Sequence, residues 1–430
     1  TGKTSQALQF LVREQLAEKP KVQSSKFKVQ NSILLLAYTN RAVDEICNML
    51  TENELDYIRI GNEFSCDPKY SDHLLKEVLD ENATLNSIKS TIADARIVVA
   101  TTSTMNSNAA LFNIKHFDLA IIDEASQILE PNIIGLLTVR HAERRAIDRF
   151  ILIGDHKQLP AVVQQSDAET EIDDGELLRI NLFSCTNSLF ERLILTERAA
   201  GRTDFIGTLH KQGRMHPDIA NFANRKFYAR EQLECVPLAH QLEQTLNYNE
   251  ASEDETDDVL KAHRMIFIPS KPCRQLNISE KVNTEEARII TDLLRRLYRQ
   301  LGNNFDPQKS VGVIVPYRNQ IAMIRKEIEK LGIPELEEIS IDTVERYQGS
   351  QRDIILYSFT IQSRYQLDFL TANTFYEDGQ PIDRKLNVAI TRARKQLILT
   401  GNEPTLRQNQ IFAELIDYIK EKGGYYAEKA

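Results

Sequence analysis

Aliphatic runs alternate along the chain with stretches whose apolar residues recur every three or four positions. Runs of the first kind predict β-strands, and stretches of the second kind predict amphipathic helices. The strand-like runs are residues 32–37, 97–100, 119–123, 150–154, 205–209, 311–316, 354–359 and 396–401. Residues 284–301 and 319–331 have apolar positions at helical spacing, and residues 5–18 predict a further helix.

Strands that alternate with helices predict an α/β fold with parallel sheets covered on both faces. An acidic, irregular stretch at residues 164–202 interrupts the series, so we place a domain boundary there and predict domains at residues 1–200 and 201–430. Residues 51–94 and 229–284 are interpreted as insertions in the first and second domain. Because ligands of such sheets bind beyond the carboxyl ends of the strands, we expect the polar motifs to lie there.

Composition narrows the class of protein. The chain has 430 residues, of which 42% are hydrophobic and 27% charged, as in a soluble globular protein of two to four domains. It contains no apolar run of the ~18 residues that a membrane span needs and no signal-peptide pattern, so we expect a cytoplasmic protein without membrane partners. Five scattered cysteines without a C-x-x-C pair argue against a disulfide framework or a zinc site.

The net charge of −9 argues against a protein that binds nucleic acid through overall charge, although it allows a basic groove. Much of the negative charge lies in residues 167–176 and 250–258. We expect both stretches to be solvated loops or edge insertions rather than binding surfaces.

The first chemical signal is Gly2-Lys3-Thr4 before a predicted helix. Backbone N–H groups at a helix start hold phosphate oxygens, the lysine adds a positive charge, and the threonine hydroxyl is a Mg²⁺ ligand. The four opening residues match the second half of a G-x-x-x-x-G-K-[ST] loop, and we expect the first half to precede residue 1 in the intact protein. The alternative is an ordinary turn, in which such triplets also occur.

The second signal is an apolar strand that ends in Asp123-Glu124. Buried carboxylates are costly unless they hold a cation or a proton. We interpret Asp123 as a Mg²⁺ ligand and Glu124 as the general base for an attacking water. The alternative is a strand end with two solvated acids.

The third signal is residues 150–160, a strand followed by Gly-Asp-His-Lys-Gln-Leu-Pro. The turn presents the amide of Gln158, which is suited to sensing a γ-phosphate. Together with the two preceding signals it favours an ATP-hydrolysing site.

Six motifs then occur in the order found in superfamily 1 helicases. They are D-E-A-S-Q from Asp123, G-D-x-K-Q-L-P from Gly154, Q-G-R-M-H-P from Gln212, V-P-Y-R from Val315, Q-G at Gln348, and N-V-A-I-T-R-A-R from Asn387. The chain most closely resembles the B branch of that superfamily, which includes the nonsense-mediated-decay (Upf1-like) helicases and related DNA helicases. The resemblance runs from Gly2 to about Asn402 and implies two tandem RecA-like P-loop NTPase domains, with the ATP site in the cleft between them.

The resemblance also implies roles for individual residues. Arg214 and Arg392 match two arginines that the second domain directs at the nucleotide, and such a guanidinium typically contributes ~10³–10⁵ in rate. Gly349 and Gln351 match nucleotide-binding positions. The sequence departs from the family at Gly213, where relatives have an adenine-stacking tyrosine, and at Gln351, where they often have glutamate. The bland alternative for either arginine is a surface salt bridge.

A second set of positions resembles the family's contacts to a nucleic-acid strand. These are Thr39, Asn40, Thr101, Thr102, Pro316, Tyr317 and Thr343. Hydroxyls, amides and helix starts contact phosphates without reading bases, which suits a motor that moves along any sequence. The alternative for the threonines and the asparagine is helix capping.

The resemblance therefore implies a monomeric motor that uses ATP and Mg²⁺ to move along single-stranded DNA or RNA, with 5′→3′ polarity. The main alternative is an inactive, helicase-like scaffold that binds nucleic acid. A P-loop switch would explain Lys3 and Asp123 but not Arg214 and Arg392. A nuclease or accessory domain outside this chain, fused or associated, is left open.

Overall fold

The aliphatic runs of the sequence form the central strands of two parallel sheets, each in its own compact unit. The computed structural model describes residues 2–18, 31–80, 82–141, 143–273 and 279–427, without the side chains of Thr4, Ser5, His141 and Asp167. The N-terminal unit comprises Gly2–His156 and Pro160–Gly207. The C-terminal unit comprises Thr208–Ala430 together with Lys157–Leu159. The predicted boundary at residue 200 lies a few residues before this division.

The N-terminal unit is built on a five-stranded parallel sheet of order β2-β3-β1-β4-β7, with a small β5-β6 hairpin. Its strands are β1 Ile33–Ala37, β2 Ile58–Arg59, β3 Ile97–Thr101, β4 Phe117–Asp123, β5 Arg140–His141, β6 Arg144–Arg145 and β7 Ile147–Leu152. Its helices are α1 Gln9–Ala17, α2 Asn40–Glu52, α3 Leu75–Val78, α4 Leu85–Asp94, α5 Thr102–Ser107, α6 Pro131–Thr138, α7 Asp167–Thr170, α8 Gly175–Arg179 and α9 Leu189–Ala199. A π-helical segment, Lys3–Leu8, precedes α1, and 3₁₀ turns occupy Glu63–Ser65, Pro68–His73, Ala109–Asn113 and Ala125–Gln127.

Burial on both faces explains why the central strand β1 is wholly aliphatic. All five of its residues are buried, between apolar clusters on the two faces of the sheet. A parallel strand covered on both sides needs apolar residues at every position, and each buried leucine contributes about 1.5–3 kcal/mol. Strand β2 lies within residues 51–94 and pairs with β3, so this predicted insertion supplies the edge strand of the sheet.

The C-terminal unit is built on a five-stranded parallel sheet of order β10-β16-β13-β11-β12, with two further strand pairs, β8-β9 and β14-β15. Its strands are β8 Lys211–Gln212, β9 Glu234–Cys235, β10 Met265–Pro269, β11 Val311–Val315, β12 Ser340–Thr343, β13 Arg352–Ser358, β14 Thr374–Glu377, β15 Gln380–Asp383 and β16 Ala393–Gly401. Its helices are α10 Pro217–Lys226, α11 Ala239–Leu242, α12 Glu255–Ala262, α13 Thr284–Leu301, α14 Arg318–Glu329, α15 Pro334–Glu337, α16 Val344–Tyr347, α17 Arg364–Leu370, α18 Arg384–Ile390, α19 Glu403–Leu406 and α20 Gln410–Glu421. Gly302–Asn304 form a 3₁₀ turn.

Helix α13 shows how local sequence sets an element. Its bounds agree with the predicted residues 284–301, and the side chain of Asn283 caps its first turn by accepting from the Glu286 N–H. The helix ends at Gly302, whose φ of 49° suits glycine. Strand β10 lies within the predicted insertion 229–284 yet pairs with β16, so that segment also belongs to the main sheet.

One sequence-based expectation is wrong, and a second holds only in part. Residues 205–209 form no strand; Phe205 is 84% exposed and Leu209 46%, so no sheet buries this apolar run. Residues 250–258 are not simply a solvated loop, because Glu255–Ala262 is helical and Asp257 is fully buried. Asp257 is paired with Arg296, at 3.1 Å, and with Arg299.

Within the part of the chain that the structure describes, no helix combines the length and the apolar character that crossing a membrane requires.

Candidate nucleotide and nucleic-acid sites

The carboxyl edge of the N-terminal sheet gathers several of the predicted residues. Ala37 at the end of β1 lies beside Thr101 of β3 and Asp123 of β4 in the strand register. Thr39 follows β1, the strand that lies between β3 and β4. These neighbouring strands end in Thr101, a predicted strand-binding residue, and Asp123, the predicted metal ligand. This edge is where parallel sheets bind their ligands.

Lys3 reaches this edge from the start of the π-helical segment. Gly2 adopts a left-handed conformation (φ 80°), and its carbonyl accepts from the N–H groups of Gln6 and Ala7. The Lys3 Nζ donates to Glu124 Oε2 at 3.4 Å. Burial acts to lower the pKa of Lys3, but the nearby carboxylates of Glu124, Asp155 and Asp123 outweigh it and hold the pKa above its ordinary value. Lys3 is therefore a cation embedded among acids.

Glu124 has a left-handed backbone, with φ 50° and ψ 37°. Such a conformation is uncommon outside glycine and costs of order 1–3 kcal/mol. Its N–H donates to Asp123 Oδ1 at 2.8 Å, and its Oε2 accepts from Gln127 Nε2 at 3.2 Å. The sharp turn after β4 thus presents the two successive carboxylates at one strand end.

The residues at this edge fit a magnesium ion. Asp123 is only 1% exposed, and an oxygen-only donor at a phosphate site matches the preference of Mg²⁺. The side chain of Thr4, the other predicted ligand, lies outside the described residues.

Three neighbours were not singled out from the sequence, although two belong to the D-E-A-S-Q motif. Gln127 orients the Glu124 carboxylate. Ser126 Oγ accepts from the Asp155 N–H at 3.2 Å, and Asp155 adds negative charge near Lys3. A Cβ at Gly154 would lie 3.0 Å from the Ser126 nitrogen, a tighter contact than most side chains make, so the two loops approach closely here. The sequence motifs contain these residues, but only the fold shows that the loop after β4 contacts the loop after β7.

Gln158 belongs, with Lys157 and Leu159, to the C-terminal unit. There the Lys157 Nζ lies 2.8 Å from Glu231 Oε2 and 2.5 Å from Glu377 Oε2. Asn387 Nδ2 donates to the Lys157 carbonyl at 2.7 Å. We call Lys157, Glu231 and Glu377 the lysine clamp; it fixes the segment that carries Gln158.

The predicted nucleotide residues of the C-terminal unit lie together, but at the amino edge of the sheet. Arg214 Nε donates to Gln351 Oε1 at 2.9 Å, and Arg214 Nη1 donates to the Thr391 carbonyl at 3.3 Å. Gly349 and Gln351 precede β13, and Arg392 precedes β16. The expectation that all polar motifs follow strands is therefore wrong here, because the chain reaches these residues before it enters the strands.

Arg392 is held by its own helix end. The residue is 2% exposed; its Nε donates to the Val388 carbonyl at 2.9 Å and its Nη2 to Thr391 Oγ1 at 3.1 Å. Arg392 lies near Arg214, because Arg214 donates to the carbonyl of Thr391, the residue that directly precedes Arg392.

The predicted strand-binding residues of the N-terminal unit follow β1 and β3. Thr39 caps α2 by accepting from the Ala42 N–H at 3.1 Å, and the neighbouring Asn40 is exposed. Thr101 caps α5 by accepting from the Thr104 N–H at 3.0 Å. Thr102 is 3% exposed. Capping, the alternative interpretation, thus occurs at both Thr39 and Thr101. The start of α2 is exposed, whereas Thr101 and Thr102 at the start of α5 are buried.

Their counterparts in the C-terminal unit also follow strands. Pro316 and Tyr317 come after β11, and Thr343 ends β12, next to α16. The Tyr317 ring stacks on Phe369 with centroids 5.5 Å apart. Burial raises the pKa of Tyr317 to about 12.

A buried carboxylate stabilises the loop after β13 at the same edge. Glu286 accepts from Ser270 Oγ, Asn283 Nδ2, Ser358 Oγ and the Thr360 N–H at 2.7–3.1 Å. Burial raises the pKa of Glu286 to about 7, although these hydrogen bonds act to lower it. Sequence patterns gave no sign of this network, because its members come from three separate segments.

Comparison with known proteins shows which families and relatives the chain resembles. Residues 80–166 and residues 185–404 match two protein families, both described as AAA domain. The chain is 30% identical over 416 residues to "DNA replication ATP-dependent helicase/nuclease DNA2" of Xenopus laevis, covering 92% of this chain and 35% of that protein. It is 29% identical over 338 residues to "DNA polymerase alpha-associated DNA helicase A" of Saccharomyces cerevisiae, covering 75% of this chain and 44% of that protein.

Among solved structures, the helicase nonstructural protein 10 of an arterivirus is similar, with a TM-score of 0.40 and 13% identity, covering 95% of this chain and 59% of that one. The chain spans only 35% and 44% of the lengths of the two curated relatives.

Proposed function

Because this chain belongs to the AAA-domain family and has the two RecA-like domains of a superfamily 1 helicase, we propose that it is the motor of an ATP-dependent helicase that moves along single-stranded DNA. The observation that carries the proposal is the cluster of Lys3, Asp123 and Glu124 at the carboxyl edge of the N-terminal sheet.

In the proposed reaction each residue of that cluster acts on ATP. Lys3 exchanges its long contact with Glu124 for the β- and γ-phosphates, and the freed carboxylate accepts a proton from the attacking water. Asp123 would hold Mg²⁺, with Thr4 as the second ligand that the sequence predicts; the bound ion would neutralise phosphate charge. Gln158 would sense the γ-phosphate.

Arg214 and Arg392 are proposed to stabilise the negative charge that spreads over the transferred phosphoryl group. Gly349 and Gln351 are proposed to contact the nucleotide, and the contact between Arg214 and Gln351 supports a shared role. Since one set of residues lies in each unit, hydrolysis would depend on both units, and nucleotide binding and release would drive movement.

The choice of DNA rests on the names of the relatives, which are DNA helicases. The proposed contacts follow strands in both units and involve Thr39, Asn40, Thr101, Thr102, Pro316, Tyr317 and Thr343. Contacts of this kind address phosphates, so RNA as the track is the competing proposal. A nuclease domain elsewhere in the full-length protein, 5′→3′ polarity, a monomeric state and a cytoplasmic location also remain proposals.

The test is the ATPase rate of the full-length protein with and without single-stranded DNA and single-stranded RNA, for wild type and Glu124→Gln. We expect strong stimulation by DNA in the wild type. The variant should bind ATP normally while its turnover falls about 10²–10⁴-fold, because the general base is lost.

If only RNA stimulated the ATPase rate, the track would be RNA and not DNA. Wild-type protein without hydrolysis on either polymer would support the inactive scaffold instead. Normal turnover in Glu124→Gln would show that another group is the base.

A further inference from the structure

Helix α17, which follows the carboxyl end of β13, exposes two aromatic side chains on one face. Tyr365 is 81% exposed and Phe369 is 46% exposed. The two residues are four positions apart and therefore neighbours on the helix surface. A single exposed aromatic residue is ordinary, but two adjacent ones at the ligand edge of a parallel sheet need an explanation.

These rings continue onto Tyr317, one of the predicted strand-binding residues. Phe369 and Tyr317 stack with centroids 5.5 Å apart and ring planes 19° from parallel. Tyr365 lies near Tyr317 as well. Burial is the main cause of the raised pKa of the Tyr317 phenol, and the neighbouring Tyr365 is the second cause. We call Tyr317, Tyr365 and Phe369 the aromatic platform.

Two lysines flank the platform. The Lys281 Nζ lies 6.0 Å from the centre of the Tyr317 ring, and the Lys385 Nζ lies 4.5 Å from the centre of the Phe369 ring. Lys281 is exposed, whereas Lys385 is 9% exposed and 3.5 Å from Glu345 Oε1. Cations beside aromatic rings match a ligand that offers planar rings and negative charge together.

We infer that the aromatic platform is a base-stacking site, where Tyr365 and Phe369 receive successive bases of a single strand and Lys281 contacts its phosphates. Every base has a face that can stack, so such a site adds affinity without sequence preference, as a translocating motor requires. An apolar protein partner would not call for the flanking cations. The inference rests on the proposed function, because it assigns new contacts to the same strand.

The experiment measures binding of the full-length protein to a labelled oligo(dT) and to an abasic oligonucleotide of equal length, by fluorescence anisotropy. Tyr365→Ala should weaken oligo(dT) binding about 5- to 150-fold, the range for losing one stacked base. Binding of the abasic strand should not change, since it has no base to stack.

Two further variants separate stacking from folding. Tyr365→Phe keeps the ring and should bind oligo(dT) like the wild type. Tyr376→Ala, which removes a tyrosine that is 75% exposed on β14, is the matched control and should also bind normally. Lys281→Ala should weaken both oligonucleotides and lower the dependence of log affinity on log salt by about one.

The stacking site would be wrong if Tyr365→Ala bound oligo(dT) as tightly as the wild type does, or if it lost the same affinity for oligo(dT) and for the abasic oligonucleotide. Either result would leave the proposed motor function intact. If wild-type protein binds neither oligo(dT) nor oligo(U), both the proposed function and this inference are wrong.

Discussion

Lys3 in the N-terminal unit and Lys157 in the C-terminal unit both lie among acidic side chains, yet they are held very differently. The Lys3 Nζ contacts one Glu124 oxygen at 3.4 Å, and its side chain is 16% exposed. The Lys157 Nζ lies 2.8 Å and 2.5 Å from Glu231 and Glu377, and its side chain is 2% exposed. One lysine is loosely held and accessible, and the other is closely held and buried.

The difference follows from what each charge must do. Burying a cation costs desolvation free energy, which only close, well-aligned partners offset. Two carboxylates are such partners for Lys157. Lys3 has weaker contacts that it can exchange for phosphate oxygens at small cost. Its contribution is therefore expected in binding and catalysis, and that of Lys157 in stability.

The largest effect is expected when Lys3 is removed. Lys3→Ala should lower ATP turnover by about 10³-fold, since a preorganised positive charge at the phosphates is lost. The free energy of unfolding should change little, because the contact to Glu124 is long and partly exposed. ATPase rates and urea unfolding of the same sample test both parts; a stability loss as large as the activity loss would show that Lys3 is structural.

The converse substitution is Lys157→Met, which fills a similar volume without the charge. It leaves Glu231 and Glu377, whose side chains are 11% and 9% exposed, without this cation. Breaking a buried pair costs about 3–5 kcal/mol. We expect a loss of that size in urea unfolding of the C-terminal unit. A Lys157→Met/Glu377→Gln double variant should recover part of it, and a fully additive double variant would argue against the clamp.

Glu286 sharpens the comparison as a buried carboxylate held by neutral donors. Its folded-state pKa of about 7 lies above the ordinary value of 4.5, so the folded form binds the proton more tightly. Its contribution to stability is complete below pH 4.5 and is lost as the pH rises through 7, on the order of 3 kcal/mol in total. Urea unfolding from pH 4.5 to 8 should show wild type losing this amount relative to Glu286→Gln; parallel curves would contradict it.

The smallest effect is expected for an exposed pair. Gln351→Glu would place a carboxylate beside Arg214 and turn their 2.9 Å hydrogen bond into an ion pair. Such a pair contributes roughly 0–1 kcal/mol, so the KM for ATP should change less than about 5-fold and kcat should stay unchanged. A large fall in kcat would show that Arg214 must be free to leave this partner during turnover.

The sequence predicted the parts of the fold that depend on local pattern. The bounds of α13 and the central strands β1, β3, β4 and β11 follow from apolar periodicity and caps. Short elements that depend on partners were missed, such as the two-residue strand β2 and the β14-β15 hairpin. The false strand at residues 205–209 has the composition of a strand but no sheet to join.

The candidate sites divide in the same way. Asp123 and Glu124 were recognisable because two acids after an aliphatic strand are costly. The lysine clamp and the Glu286 network were not, since each unites residues more than seventy positions apart through side-chain contacts that no spacing encodes. The buried Asp257 was mistaken for surface charge because its arginine partners lie on α13.

The path of Lys157–Leu159 has a practical consequence for dividing the molecule. A fragment that starts at Thr208 would lack the lysine between Glu231 and Glu377, and it would lack Leu159, which packs in the same apolar core as Phe227 and Ile390. The C-terminal unit is therefore discontinuous in sequence, and a cut at residue 207 would remove a piece of its interior. The part of the gene that encodes the C-terminal unit therefore includes the codons for Lys157–Leu159, which lie among the codons of the N-terminal unit.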